Sequence, residues 1–177
     1  GTYYNPKFNV TGGTFKVGEK KGYIVVTPKE KDVKVSVYNG SDFIDDLNYK
    51  VRTVPKPIVR LTNGAGAALD EVNGMKIAEV RLINVKIIPD ESFSAFLPND
   101  SKYKVVEWEV TLARGSERKA FKKIQNEESL NLTSIISNAS PNDRLIVEIK
   151  KVVRINFMGL EEVVMFPTVN VKNILLK

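Results

Sequence analysis

The chain lacks cysteine and histidine, two residues on which much of protein chemistry depends. Neither occurs among its 177 residues. Without cysteine there is no disulfide and no thiolate, and without histidine the usual general base and the commonest zinc ligand are missing. A hydrolase built on a Ser-His or Cys-His pair is therefore excluded. We predict that the protein is not an enzyme, with no catalytic residue, no metal-binding residue and no cofactor.

The chain also has little net charge and no long apolar run. It has 27 Lys and Arg residues and 21 Asp and Glu residues, which gives a net charge of +6. The charges are interspersed, as in the stretch 29–32, and this pattern is typical of a solvated surface. No apolar run approaches the roughly 20 residues that span a bilayer. We expect neither nucleic-acid binding nor direct membrane contact of this fragment.

Alternating apolar and polar residues dominate what is present, and they predict strands almost throughout. Val33, Val35 and Val37 share one face of a strand, and Asn39-Gly40 after it favours a tight hairpin turn. The strongest strand runs over 104–113. Its apolar face is predicted to hold Val106, Trp108, Val110 and Leu112, with Trp108 at the centre of the core.

A second long strand is predicted over 145–153, with Leu145, Val147, Ile149, Lys151 and Val153 on one face. The stretch 75–80 also has the composition of a strand. Only one segment has a helical pattern, a short helix near 131–138. The fold class is therefore all-β, mainly antiparallel β-sandwich domains with that one short helix.

Two prolines suggest where the chain passes from one domain to the next. The segment Tyr49–Val54 alternates like a half-buried strand, and Pro55 and Pro57 cannot continue a β ladder. Each proline also keeps its predecessor extended, which makes a stiff linker. We predict a small Ig-like β domain over 1–57 and a β-rich C-terminal domain over 58–177. The first is small for an independent core, so we expect missing upstream sequence or a partner chain to complete it.

Two local patterns allow a site, and each has a plainer interpretation. Asp42, Asp45 and Asp46 lack calcium-loop spacing and are interpreted as a solvated loop between strands. Gly64-Ala65-Gly66 after a strand imitates a dinucleotide fingerprint, but no helix pattern follows it. It is interpreted as a mobile loop.

Four aromatic residues leave two alternatives open. Tyr3, Tyr4, Tyr23 and Phe43 lie near lysines and form either a protein-binding face or ordinary packing.

The order of these pieces resembles the C-terminal periplasmic region of the GldM (PorM) family of the type IX secretion system. The family has an aromatic-x-Val-Lys/Arg-x-Val-Pro-x-Pro seam, matched here by Tyr49–Pro57, followed by a hydrophobic strand and a Gly-rich loop. The strands around Lys21–Val25 and Lys34–Val37, the Trp108 strand, the short helix and the strand after it follow in the expected order. The family's Gly-Pro-Asp-Gly turn is replaced by Asn156–Gly159.

The resemblance implies a structural role rather than catalysis. It implies a homodimeric, force-transmitting periplasmic shaft of the secretion and gliding machinery, which docks onto an outer-membrane-associated ring of a periplasmic protein and a lipoprotein. The full-length protein would be anchored in the inner membrane and pair there with a small partner through a region absent from this chain. The alternative is an extracellular adhesion module that binds carbohydrate or protein, and bound calcium or glycan at 42–46 would favour it.

Overall fold

A computed structural model describes residues 4–177, and the chain divides into two compact units, Gly1–Val54 and Pro55–Lys177. No helix among the described residues is long and apolar enough to cross a bilayer. Antiparallel sheets make up most of both units, so the all-β prediction is confirmed.

The first unit consists of five strands in two sheets. β1, β4 and β5 form one sheet in that spatial order, and β2 and β3 form a separate hairpin. A tight turn joins β4 to β5, as predicted, but its two central residues are Gly40 and Ser41 and not Asn39 and Gly40, because Asn39 still pairs with Asp42. Gly40 has the positive φ of 63° that such a turn needs. The strands are β1 (Pro6–Thr11), β2 (Gly13–Val17), β3 (Ile24–Pro28), β4 (Asp32–Asn39) and β5 (Asp42–Lys50).

The predicted half-buried strand over Tyr49–Val54 is wrong. β5 ends at Lys50, and every residue from Tyr49 to Thr53 is exposed. Lys50 pairs with Asp32, the first residue of β4, so the partner strand runs out at this point. The pairing therefore stops five residues before Pro55, for lack of a partner and not because of the proline.

The second unit is a sandwich of two antiparallel sheets. The smaller sheet has the order β10-β7-β6, and the larger has the order β12-β11-β8-β9, with β13 also paired to β11. A single apolar core contains side chains from both sheets. The strands are β6 (Ile58–Thr62), β7 (Leu82–Ile88), β8 (Lys102–Arg114), β9 (Glu117–Gln125), β10 (Ser129–Asn131), β11 (Arg144–Ile155), β12 (Glu161–Val163) and β13 (Asn170–Leu175).

The two long strands carry the predicted core, but not with unbroken alternation. Trp108 is fully buried and lies opposite Ile149, so its predicted central place is confirmed. Register shifts between Ile149 and Val152 add a residue to each strand. Beyond them Val105, rather than Val106, joins the core, and Val152 takes the inward place predicted for Lys151. Val153 is also buried, but outside this core cluster. A β-bulge reverses which residues face inward, and strict period-two reasoning cannot anticipate it.

Two helical segments depart from the sequence prediction. The stretch predicted as a strand over 75–80 contains a 3-10 helix at Ile77–Glu79 instead. An α-helix not predicted from the sequence, α1 (Glu91–Phe96), begins where Asp90 accepts a hydrogen bond from the amide of Phe93. The predicted helix near 131–138 is confirmed in shorter form as α2 (Thr133–Ile136).

We expect Trp108→Ala to lower the free energy of unfolding by about 3–5 kcal/mol, because it leaves a cavity in a closed core. Its indole Nε1 also donates to the carbonyl oxygen of Glu127 at 2.7 Å, and that acceptor would lose its partner. Chemical denaturation measures the change. Phe121→Ala is the control, since Phe121 is partly exposed and should cost less than about 1 kcal/mol. Equal losses for the two variants would contradict this account of the core.

Gly74 allows the chain to pass close to β13. Its φ is +79°, and a Cβ there would lie 2.5 Å from the carbonyl oxygen of Leu175, which already accepts a hydrogen bond from Met75 N. Gly115 has a φ of +58° with open space around it.

We therefore predict that Gly74→Ala destabilises the protein more than Gly115→Ala. The second change should cost about 1–2 kcal/mol, which is the strain of the left-handed conformation alone. The first adds a steric clash with backbone. Thermal unfolding of both variants compares them, and an equal loss would mean that the contact with Leu175 relaxes freely.

Candidate interaction surfaces

The acidic cluster lies on a strand, not on the solvated loop that the sequence predicts. Asp42, Asp45 and Asp46 all belong to β5. Asp45 Oδ1 accepts a hydrogen bond from Asp46 N, and Asp46 Oδ2 lies 3.6 Å from Lys34 Nζ. Within residues 4–177, no group of three or more acids has an arrangement that could hold a metal ion.

The Gly-rich segment is a turn built around one side chain. Asn63 Oδ1 accepts hydrogen bonds from Ala65 N and Ala67 N, both at 3.0 Å. Thr62 then pairs with Ala68, so the chain folds back beside β6. A dinucleotide fingerprint needs a helix directly after this turn, and the segment from 63 to 76 contains none.

The predicted aromatic face is exposed where the structure describes it. Tyr4, Tyr23 and Phe43 are 57%, 64% and 58% exposed, whereas Tyr3 lies outside the described residues. Phe43 touches Tyr38 edge-on, with ring centroids 5.7 Å apart. These rings therefore lie on the surface and take no part in a core.

The first unit buries very little. Among its apolar residues from 4 to 54, only Val33 and Val35 are fully buried. Ten large apolar or aromatic residues of this stretch are exposed, which is far more than isolated surface positions would explain. They are Tyr4, Phe15, Val17, Tyr23, Val25, Phe43, Ile44, Leu47, Tyr49 and Val51.

One strand brings part of this surface to a sheet edge. β5 is the last strand of its sheet and pairs only with β4 among the described strands. Leu47 and Tyr49 lie on the same face as Val33 and Val35, their cross-strand partners. They are nevertheless 41% and 54% exposed. A long edge strand with exposed apolar residues is a template for pairing with another chain.

The sequence of this edge is complementary to itself. If a second β5 pairs antiparallel about Asn48, Leu47 lies opposite Tyr49, and Asp46 lies opposite Lys50, on both sides of the two-fold axis. Residues opposite one another share a face, so the apolar pairs fall on one face and the charged pairs on the other. We call the segment Asp46–Lys50 the β5 edge.

The second unit has an apolar end held in place by a partly buried ion network. Arg154 donates to the carbonyl oxygen of Asp100 at 2.8 Å and also binds Glu162, and Asp100 Oδ1 accepts from Phe157 N at 3.2 Å. This network joins two turns that carry exposed apolar side chains, among them Phe96, 85% exposed. The others are Leu97, Phe157, Met158 and Leu160.

The pKa of Glu162 is set by opposing effects. Burial raises it, but hydrogen bonds from Asn156 and Arg154 outweigh burial and bring it below its usual value. The carboxylate therefore stays charged at neutral pH, and the network keeps the two turns together.

A second charged pair closes the opposite end of β8 and β11. Arg114 Nε and Nη2 donate to the two oxygens of Asp143 at 2.8 and 2.9 Å, and Ser140 N donates to Asp143 Oδ2. The Asp143 side chain is almost completely inaccessible to solvent. The hydrogen bond from Arg114, above all, lowers the pKa of Asp143.

We predict that Asp143 contributes to acid unfolding. A carboxyl group with a lowered pKa in the folded state adds stability above its unfolded pKa of about 3.9 and loses it as the pH falls through the folded pKa. Asp143→Asn should therefore lose stability at pH 7 and show a weaker pH dependence between about pH 5 and pH 2. Denaturation at several pH values measures this. Glu127→Gln, which removes one carboxylate from an exposed side chain outside this pair, is the matched control.

Comparison with known proteins finds a family that this chain matches. The family model described as the GldM C-terminal domain matches residues 55–173. No curated protein matches the chain. The match covers most of the second unit, including both sheets, the core around Trp108 and both ion networks.

Proposed function

The chain belongs to the GldM family, a component of the gliding and type IX secretion machinery, and on that basis we propose that it is a structural segment of a dimeric periplasmic shaft. In this proposal the shaft transmits force or conformational change across the periplasm. The single observation that carries it is the family match over residues 55–173. The GldM family is structural and is not known as an enzyme family.

The proposed location and partners follow from the family. GldM proteins are anchored in a membrane and have a periplasmic C-terminal domain, so we place this region in the periplasm. The second unit would dock onto a periplasmic ring protein and a lipoprotein. The inner-membrane partner would bind a part of the full-length protein that this chain does not include.

The β5 edge supports the dimer. The first unit has too small a buried core to be stable alone, because about 50 residues with two fully buried apolar side chains fall well short of an ordinary core. Pairing with a second β5 edge would supply backbone hydrogen bonds and cover Leu47 and Tyr49. The self-complementary register makes an identical chain a suitable partner.

The absence of cysteine permits a direct test. Asn48→Cys introduces a single thiol at the centre of the proposed two-fold register, opposite its counterpart in the second chain. We expect mild oxidation to give a covalent dimer at micromolar protein concentration, and light scattering of the unmodified chain to give twice the mass of one chain. Tyr23→Cys, at a position that is also exposed but lies outside β5, is the matched control and should stay largely uncrosslinked.

Two results would contradict parts of the proposal. A dimer in solution with no preferential cross-linking at position 48 would keep the shaft but reject this register. A monomer at all concentrations would remove the dimer from this region and favour the adhesion module, for which bound calcium or glycan would then be sought.

A further inference from the structure

The second unit has a groove at the end opposite the start of β6. Ile58 pairs with Ile88, while Thr62 pairs with Asn84, so the beginning of β7 is the far end of the small sheet. Arg81 directly precedes β7, and Asn131, the last residue of β10, pairs with Leu82. The 3-10 helix and α2 therefore meet at this end, with a groove of about 540 Å3 between them.

The groove has an apolar floor and a basic rim. Ile77, Val80 and Ile136 line the floor, and Lys76, Arg81 and Lys177 line the rim. We call this the basic groove. Hydrogen bonds fix its floor: Lys177 N donates to Met75 O at 2.9 Å, and Ile77 N donates to Lys177 O at 3.1 Å. Val80 is fully buried, so the floor is continuous with the core.

The three rim cations differ in how far nearby acids offset their charge. Lys76 Nζ lies 3.9 Å from Glu79 Oε1, beyond hydrogen-bond distance, and both side chains are mostly exposed. Lys177 interacts electrostatically with Asp70 but forms no direct ion pair with it, and the Asp70 carboxylate accepts hydrogen bonds from Val72 N and Asn73 N. Arg81 uses Nε for the carbonyl oxygen of Ala78 and forms no ion pair within the described part of the chain.

We propose that the basic groove binds an acidic, apolar segment of a partner protein, in which one or two apolar side chains fill the floor and flanking carboxylates meet the rim. Charge complementarity carries the choice, since cations surround an apolar floor on a fixed backbone. The concave shape does not suit a flat lipid surface. No aromatic residue lines the groove to stack a nucleic-acid base. The inference deepens the docking step of the proposed function and rests on it.

A peptide titration tests the groove by itself. The isotope-labelled full chain is titrated with a short acetylated peptide in which leucine alternates with glutamate, and with the same peptide carrying lysine for glutamate. We expect amide shifts confined to the groove residues, with the glutamate peptide only. Arg81→Glu should weaken binding about fivefold or more, as loss and reversal of a rim charge would do.

Arg60→Glu is the matched control, because Arg60 is an exposed arginine on β6, outside the groove, and the charge change is identical. It should leave the affinity within about twofold, which corresponds to the small effect of an ordinary surface change. Equal weakening by both variants would show attraction by net charge alone and would overturn the proposal. Shifts spread over the surface, or equal binding of both peptides, would also overturn it.

A third comparison separates other anionic surfaces from a protein segment. Binding to vesicles containing phosphatidylserine, lost in Arg81→Glu but kept in Arg60→Glu, without binding of the glutamate peptide, would replace the proposal with a membrane site. The titration needs no dimer and no assembled machine. If the glutamate peptide does not bind but Asn48→Cys gives a cross-linked dimer, the groove is rejected and the shaft is kept. If the peptide binds in the groove but no dimer forms, the groove is kept and the dimeric shaft is rejected.

Discussion

The antiparallel pairing of β8 with β11 is the interaction on which the second unit depends. These strands have 13 and 12 residues, and their contact places Trp108 against Ile149 at the centre of the core. β9 pairs with β8, while β12 and β13 both pair with β11, so each remaining strand of the large sheet is hydrogen-bonded to one of these two strands. The bulge in this pair turns Val105 and Val152 inward. It thereby extends the core toward the beginning of β8 and the end of β11.

Charged networks hold the two ends of this pair. At one end Arg114 and Asp143 fix the loop before β11, and at the other Arg154, Asp100 and Glu162 join the turns around it. Asp143 and Asp100 are largely shielded from solvent, and each of the three carboxylates accepts more than one hydrogen bond, so these networks specify where loops lie as well as adding stability. The two networks therefore fix the positions of the apolar end and of the loop at 138–143.

Sequence reasoning predicted the features that repeat regularly and missed those that depend on partners. The alternation from Trp108 to Leu112 and the tight turn after β4 are strong local signals. Both were confirmed, although the turn lies one residue later than predicted, and so were the all-β class and the family. The bulge was missed because it depends on how two strands pair, and α1 because its signal is a single cap, Asp90, before Glu-Ser-Phe-Ser. The exposure of Tyr49 was missed because alternation shows which residues share a face, but not whether anything covers that face. The basic groove joins residues from three distant segments, so no local pattern could reveal it.

The unequal cores of the two units have a consequence for how the chain unfolds. The second unit has a closed sandwich core, whereas the first has two fully buried valines. Their backbone amides should therefore differ strongly in hydrogen exchange, with slow exchange along β8 and β11 and fast exchange in β2 and β3. In the dimer that we propose, pairing of the β5 edges stabilises only the folded first unit, so the first melting step should rise in temperature with protein concentration while the second stays fixed. Such a dimer can loosen one segment and keep the next rigid.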